Sequence, residues 1–159
     1  MPSFTITNHK KQEFVVLYDE EDTELIAQYT WYVGHGYAAT MDRHKDGSVY
    51  LLYMHRRIME APERMIVDHI NGDPLDNRKE NLRFCTHSEN MRNRKLNNNN
   101  TSGYKGVALD KQTKKFRARI RVNRVLKELG SFQTALEAAH VYNSKAKELF
   151  GEFASPNKI

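Results

Sequence analysis

Cysteine is nearly absent from this chain: Cys85 is the only one among 159 residues. A single thiol forms no internal disulfide and cannot supply a four-cysteine zinc site, so neither device holds the protein together. Long apolar runs are missing too. No stretch approaches the roughly 18 consecutive apolar residues of a membrane span, and Met1-Pro2-Ser3-Phe4 has no secretory-signal pattern. The expectation is an intracellular, cytoplasmic protein. Hydrophobic residues make up 39% and charged residues 28%, so the cores are modest. The length suits one ordinary domain or two to three small units.

The net charge of +5 is unevenly spread. Residues 1–64 carry seven Lys and Arg against ten Asp and Glu, a net of −3. Residues 65–100 carry six against five, and residues 101–159 carry twelve against five, a net of +7. The last third therefore holds the positive field, where an anionic polymer would bind.

Residues 1–64 read as a small β-rich unit. Phe14 to Tyr18 is strand-like and Asp22 to Tyr29 suits a short helix. Gly36 to Met41 and Ser48 to Tyr53 flank Lys45-Asp46-Gly47, a turn sequence able to take the positive φ angles of a hairpin. His55 to Met59 reads as a short helix ending near Pro62. Residues 65–95 read as β-β-α: a strand from Met65 to Ile70, a turn begun by Asn71-Gly72, a strand from Leu82 to Cys85, and a helix to about Lys95. Thr86-x-x-Glu89 matches the capping box of that helix. Residues 96–102 contain four consecutive Asn residues, which bury nothing and compete locally for the backbone, so they read as a linker. In residues 103–159, Phe116, Ala118, Ile120 and Val122 alternate with Arg117, Arg119 and Arg121. From Thr134, Ala135, Ala138, Ala139, Tyr142, Ala146, Leu149 and Phe150 recur at helical spacing. An amphipathic helix on the apolar face of a small antiparallel sheet satisfies both patterns. The fold class expected is α+β.

Val67-Asp68-His69-Ile70-Asn71-Gly72-Asp73 is the cluster with chemistry. Phosphodiester hydrolysis needs a deprotonated water, neutralised charge and help for the leaving 3′ oxygen. Asp68 and Asn90 offer oxygen ligands to a hard cation, and His69 can take a proton at physiological pH. Neighbours on an ideal strand face opposite sides, so Asp68 and His69 must meet at a twisted strand end. The same letters also suit a plain polar hairpin end. A calcium loop is excluded, because a glycine at Gly72 would require oxygen ligands at Val67 and His69. No nucleophile-elbow pattern supports a Ser-His-Asp hydrolase. His87 reads as an exposed residue of the helix cap.

Asp68-His69-Ile70-Asn71-Gly72-Asp73, then Asn77-Arg78-x-Glu80-Asn81-Leu82-Arg83, then Ser88-x-Asn90 resembles the HNH nuclease motif. The variant is that of phage homing endonucleases, in which the last histidine is Asn. The resemblance implies a ββα-metal fold within residues 65–95, with residues 1–95 forming one nuclease domain. It implies Asp68 and Asn90 as metal ligands, His69 as general base, and Asn81 as a brace that orients the base. An amide in the last place implies magnesium or manganese rather than zinc. Trp31 with Gly36-Tyr37 and Met54-His55-Arg56 resembles the segment preceding the motif in those phage proteins; His55 reads as a structural bridge between the two units, with a contribution near the site as the alternative.

Gly103-Tyr104-Lys105-Gly106-Val107, Phe116 to Ile120, Leu129-Gly130-Ser131-Phe132 and Glu137-Ala138-Ala139-x-x-Tyr142-Asn143 are together similar to the ethylene-response-factor (APETALA-type) DNA-binding domain. Phe116 departs from it by replacing a tryptophan. That family lays a three-stranded sheet in the major groove with the helix behind it. Arg117, Arg119 and Arg121 share one strand face at roughly 7 Å spacing, suited to phosphates or guanine edges. Lys105, Lys114 and Lys115 are expected to touch phosphates, and Arg83, Arg92 and Arg94 to hold DNA near the cut. Tyr104 and Phe132 read as core aromatics. The combined expectation is a monomeric HNH endonuclease that nicks duplex DNA, in the host cytoplasm if phage-encoded, with no obligate protein partner. The alternative is a DNA-binding regulator using the HNH fold only as scaffold, against which the intact Asp68, His69 and Asn90 argue.

Overall fold

The computed structural model describes residues 2–93, 96 and 99–159. It is a mixed α/β protein of small antiparallel sheets and few helices, falling into two compact units, Met1–Asn90 and Met91–Ile159. No helix among the described residues is long and apolar enough to cross a membrane.

The first unit opens with a hairpin, β1 (Ser3–Thr7) against β2 (Glu13–Leu17), in which Phe4 pairs with Val16 and Ile6 with Phe14. Asn8 shapes the turn by accepting the backbone N–H groups of Lys10 and Gln12 at its Oδ1. A turn of 3-10 helix, Glu20–Asp22, runs into α1 (Thr23–Ala27). β3 (Tyr32–Gly34), β4 (Tyr37–Arg43) and β5 (Val49–Tyr53) form a meander in that order. Gly47, at φ 85°, sits in the expected Asp-Gly turn. α2 (Met54–Ile58) follows β5 directly and buries Met54, His55 and Ile58. Two strands, β1 and β3, lie where no strand was read from the sequence. Both are short and acquire their order from paired neighbours rather than from local pattern.

β6 (Ile66–His69) pairs antiparallel with β7 (Leu82–Cys85), placing Asp68 opposite Arg83 and His69 opposite Leu82. The loop between them is anchored to the N-terminal hairpin. Leu17 N–H donates to Leu75 O at 2.9 Å, Asn77 N–H to Leu17 O at 2.8 Å, and Lys79 N–H to Asp19 Oδ2 at 2.7 Å. Arg56 in α2 donates to the carbonyls of Pro62 and Met65 at 2.8 and 2.6 Å, fixing the approach to β6. The core joins Ile6, Val16, Trp31, Met54, Val67 and Leu82. α3 (His87–Arg92) follows β7 behind the expected Thr86–Glu89 capping box. The reading of that helix as far as Lys95 extends to Arg94 and Lys95, outside the described residues, as are Asn97 and Asn98 of the linker.

In the second unit β8 (Val107–Leu109), β9 (Phe116–Val122) and β10 (Val125–Phe132) form one antiparallel sheet with β9 in the middle. Asn123 and Arg124, at φ 48° and 68°, make a two-residue turn between Val122 and Val125. α4 (Ala135–Phe150) starts at a complete capping box, Thr134 with Glu137. Its Ala138 and Ala139 pack on Val107 and Ala118, with Tyr104, Phe116 and Phe132 partly buried around them. Asn100 and Ser102, read as linker, are tied to this unit through the carbonyls of Tyr104 and Val107.

Candidate active site

β6 delivers two polar side chains in succession, and both are buried: Asp68 is 6% exposed and His69 also 6%. Strand alternation sends them to different surroundings. Asp68 Oδ2 accepts from Arg83 Nε at 3.1 Å and from Arg83 Nη2 at 2.9 Å. The guanidinium offered by the register partner is what allows a carboxylate to remain buried there. Arg83, expected to hold DNA, therefore has its cationic end on Asp68.

His69 lies among aromatic rings. His55 meets it edge-on with centroids 4.9 Å apart, Tyr37 lies 5.9 Å away, and Tyr53 stacks on His55 at 5.6 Å. Asn77 Oδ1 lies 3.5 Å from His69 Nε2. Burial lowers the His69 pKa below its ordinary value, opposed by the Asn77 contact and the charges of Asp68, Asp73 and Asp76. His55 is pushed down to about 3, first by burial and then by His69 and Arg56. Both imidazoles are neutral at physiological pH, the form needed to accept a proton.

Asn81 is turned onto the β6–β7 loop. Its Oδ1 accepts Asn71 N–H at 2.9 Å, and its Nδ2 donates to Asp76 O at 2.8 Å and to Asn71 Oδ1 at 3.1 Å. Asp76, 2% exposed, accepts from Arg78 Nε and Asn71 Nδ2 at 2.7 and 2.8 Å. The Arg78 guanidinium beside it holds the Asp76 carboxyl below the usual range. Asn90 is half-buried on α3. Cys85 is buried and its thiol is pushed up by burial, so it is a poor nucleophile. Asn77, Tyr37 and the loop residues Asn71 and Asp76 received no role from the sequence. Asn77 stood inside the quoted motif, but only the fold brings it to the imidazole.

A model of the HNH endonuclease family matches residues 53–92. The chain is 32% identical over 160 residues to an uncharacterized HNH endonuclease of Acanthamoeba polyphaga mimivirus, covering 98% of this chain and 81% of that protein. The chain belongs to the HNH endonuclease family. It is also 31% identical over 105 residues to protein 3.8 of Escherichia phage T7, covering 63% of this chain and 86% of that one. No solved structure matches it. The HNH match begins at Tyr53, twelve residues before the motif segment read from the sequence, and so takes in α2 and His55.

The basic residues expected to meet DNA have diverse placements. Arg117 forms an ion pair with Asp110, and Arg119 Nε lies 2.8 Å from Glu128 Oε1. Arg121, on the same strand face, is exposed. Lys114, at φ 58°, and Lys115 are exposed in the β8–β9 turn. Lys105 is half-buried, donates to Ser155 Oγ at 2.5 Å, and has its pKa lowered by desolvation. Arg92 stacks over the Phe150 ring at 4.2 Å. Arg94 lies outside the described residues.

Proposed function

We propose that this HNH-family chain is a metal-dependent endonuclease that hydrolyses phosphodiester bonds in duplex DNA, nicking one strand per active site in the manner of phage homing enzymes. One observation carries the reading: in the segment matching the family, a neutral buried imidazole, His69, ends the strand that bears a buried carboxylate, Asp68.

Asp68 and Asn90 offer a carboxylate and an amide oxygen. No group of three or more His, Cys, Asp or Glu side chains suited to a metal occurs among the described residues. So sparse an oxygen set fits Mg²⁺ or Mn²⁺, which complete their shells with water and substrate oxygens, and does not fit zinc. Asp68 and Asn90 would hold the ion. When bound, it supplies positive charge to the phosphate and the departing 3′ oxygen.

His69 takes a proton from water as the water oxygen bonds to phosphorus. The bond to the 3′ oxygen breaks, leaving a 5′-phosphate and, after protonation from solvent, a 3′-hydroxyl. Asn81 braces the loop that follows the base, and Arg83 pairs with Asp68 in its buried position. The second unit is an ethylene-response-factor-type module that binds duplex DNA through the outer face of β9, with Lys114 and Lys115 on phosphates. Arg121 leads on that face, because Arg117 and Arg119 already face carboxylates.

The test is supercoiled plasmid incubated with Mg²⁺ or Mn²⁺. Wild-type protein is expected to yield nicked circles, and His69→Ala to cut roughly 10²–10⁴-fold more slowly while still binding DNA. A wild-type protein that leaves plasmid intact with every divalent metal, across a range of DNA sequences, ends this reading.

A further inference from the structure

The β3–β4–β5 sheet turns one face to the core through Val33 and Ala38. On the opposite face the register lines side chains up in rows. Tyr32, Ala39 and Tyr53 form one row, Gly34 and Tyr37 a second, and Met41 and Leu51 a third, with Arg43 opposite Val49 beyond them. Ala39 is buried between its two tyrosines, while Tyr32, Tyr37, Met41 and Arg43 are exposed. Residues 1–64 carry ten Asp and Glu against seven Lys and Arg. Among the described residues of this face, however, none is acidic. A face without carboxylates in an acidic segment suits contact with a polyanion.

The same face runs up to the candidate base. Tyr37 begins β4 after the turn His35-Gly36, whose φ angles of 52° and 87° suit a two-residue hairpin connection. The turn is tied to β5, since His35 Nδ1 lies 3.3 Å from Tyr53 Oη. From there the Tyr37 ring meets three others, with centroids 5.5 Å from Tyr53, 5.3 Å from His55 and 5.9 Å from His69. His55 and His69 are 7% and 6% exposed, whereas Tyr37 is 36% exposed. The imidazole is thus rimmed by an aromatic ring that reaches the surface. Each phosphate in a DNA strand is bonded to a deoxyribose on either side, so a phosphate brought to His69 carries a sugar onto that rim. The C–H edge of the sugar is apolar enough to pack on a half-exposed ring.

We propose that Tyr37 is a substrate-contacting residue: its ring packs on the deoxyribose beside the scissile phosphate, and the face of Tyr32, Met41 and Arg43 carries the adjoining stretch of duplex DNA. The proposal rests on the nuclease reading of His69, but the contact is one of binding and is measured without cutting. It uses the ring and not the phenol hydroxyl, so phenylalanine can stand in for tyrosine.

The experiment irradiates full-length protein bearing the photoreactive substitution Tyr37→p-benzoylphenylalanine in the presence of end-labelled restriction fragments of the plasmid. Val15, 57% exposed on β2, carries the same substitution as the control. A cross-link to DNA is expected from position 37 and much less from position 15. In plasmid nicking, Tyr37→Ala should raise KM on the order of 10-fold, as expected for losing the apolar contact of one ring, with a smaller change in kcat. Tyr37→Phe should recover most of that loss. No cross-link from position 37, or equal cross-linking from both positions, overturns the proposal. A Tyr37→Ala protein with wild-type KM does the same, as does a Tyr37→Phe protein as impaired as Tyr37→Ala. Should Tyr37→Ala fail to fold, the cross-linking decides alone. A wild-type protein that cuts no DNA removes the nuclease reading, while the cross-link still reports whether Tyr37 lies against DNA.

Discussion

The two units treat polar groups in opposite ways. All eight buried polar or charged residues among the described ones lie in the first unit: Asp22, Thr40, His55, Asp68, His69, Asp76, Asn77 and Asn81. The second unit buries only apolar side chains, chiefly alanines with Val107 and Ile120, and keeps its cations at or near the surface. Burying a polar group is costly unless it is partnered, so the first unit gives up stability for shielded, oriented groups. The second gives up little and gains a charged face. Proton transfer needs the former arrangement, and binding a polyanion needs the latter.

Acid breaks the comparison most sharply. His55 is neutral in the folded protein down to about pH 3 but takes a proton in the unfolded chain near 6.5. Between those values the unfolded state binds more protons, so stability falls as pH falls. The loss from His55 alone reaches on the order of 4–5 kcal/mol, with His69 adding in the same direction. Denaturant unfolding between about pH 7 and 4 should show roughly 3 kcal/mol of this loss for wild type and much less of it for His55→Phe. Equal losses would mean that His55 is not kept neutral in the fold.

In the second unit the corresponding weak point is steric. Gly106 has φ 69°, and a Cβ there would stand 2.2 Å from the Tyr142 ring and 2.5 Å from Arg119 O. Gly106→Ala should cost roughly 2–4 kcal/mol and take DNA binding with it, read by thermal unfolding and by affinity. Full stability in that variant would show that α4 and the sheet pack less closely than described.

On the charged face itself the arginines should be unequal. Arg121→Ala is expected to weaken DNA binding and flatten its salt dependence by about one phosphate contact. Arg117→Ala, which removes a cation already paired with Asp110, should do less. Titrations at several salt concentrations rank the two, and equal effects would remove the carboxylates from the account. The smallest effect is at the cap: Thr134→Ala should cost about 1 kcal/mol, seen as a few degrees in Tm.

How legible these parts were depends on the range of the forces that make them. β9 was readable because period-two alternation is local, and α4 because its apolar residues from Ala135 to Phe150 recur at helical spacing. The Asp46-Gly47 turn was equally local. β1 and β3 carried little pattern and needed partners. Arg117 and Arg119 read as free cations because Asp110 and Glu128 come from other positions in the chain. At the candidate site the letters Asp68, His69, Asn81 and Asn90 were visible as a motif, but their environments were not.

By itself the sequence determined the hairpins and helices set by neighbours a few residues apart, the segregation of positive charge, and the HNH motif. Tertiary structure alone decided that Asp68 faces Arg83, and that His69 stands between His55, Tyr37 and Asn77. Asn77 is brought there by a loop docked on β2, about sixty residues earlier in the chain. The physical reason is desolvation. A side chain's charge and proton affinity follow from what excludes water around it, and those neighbours come from strands and loops distant in sequence.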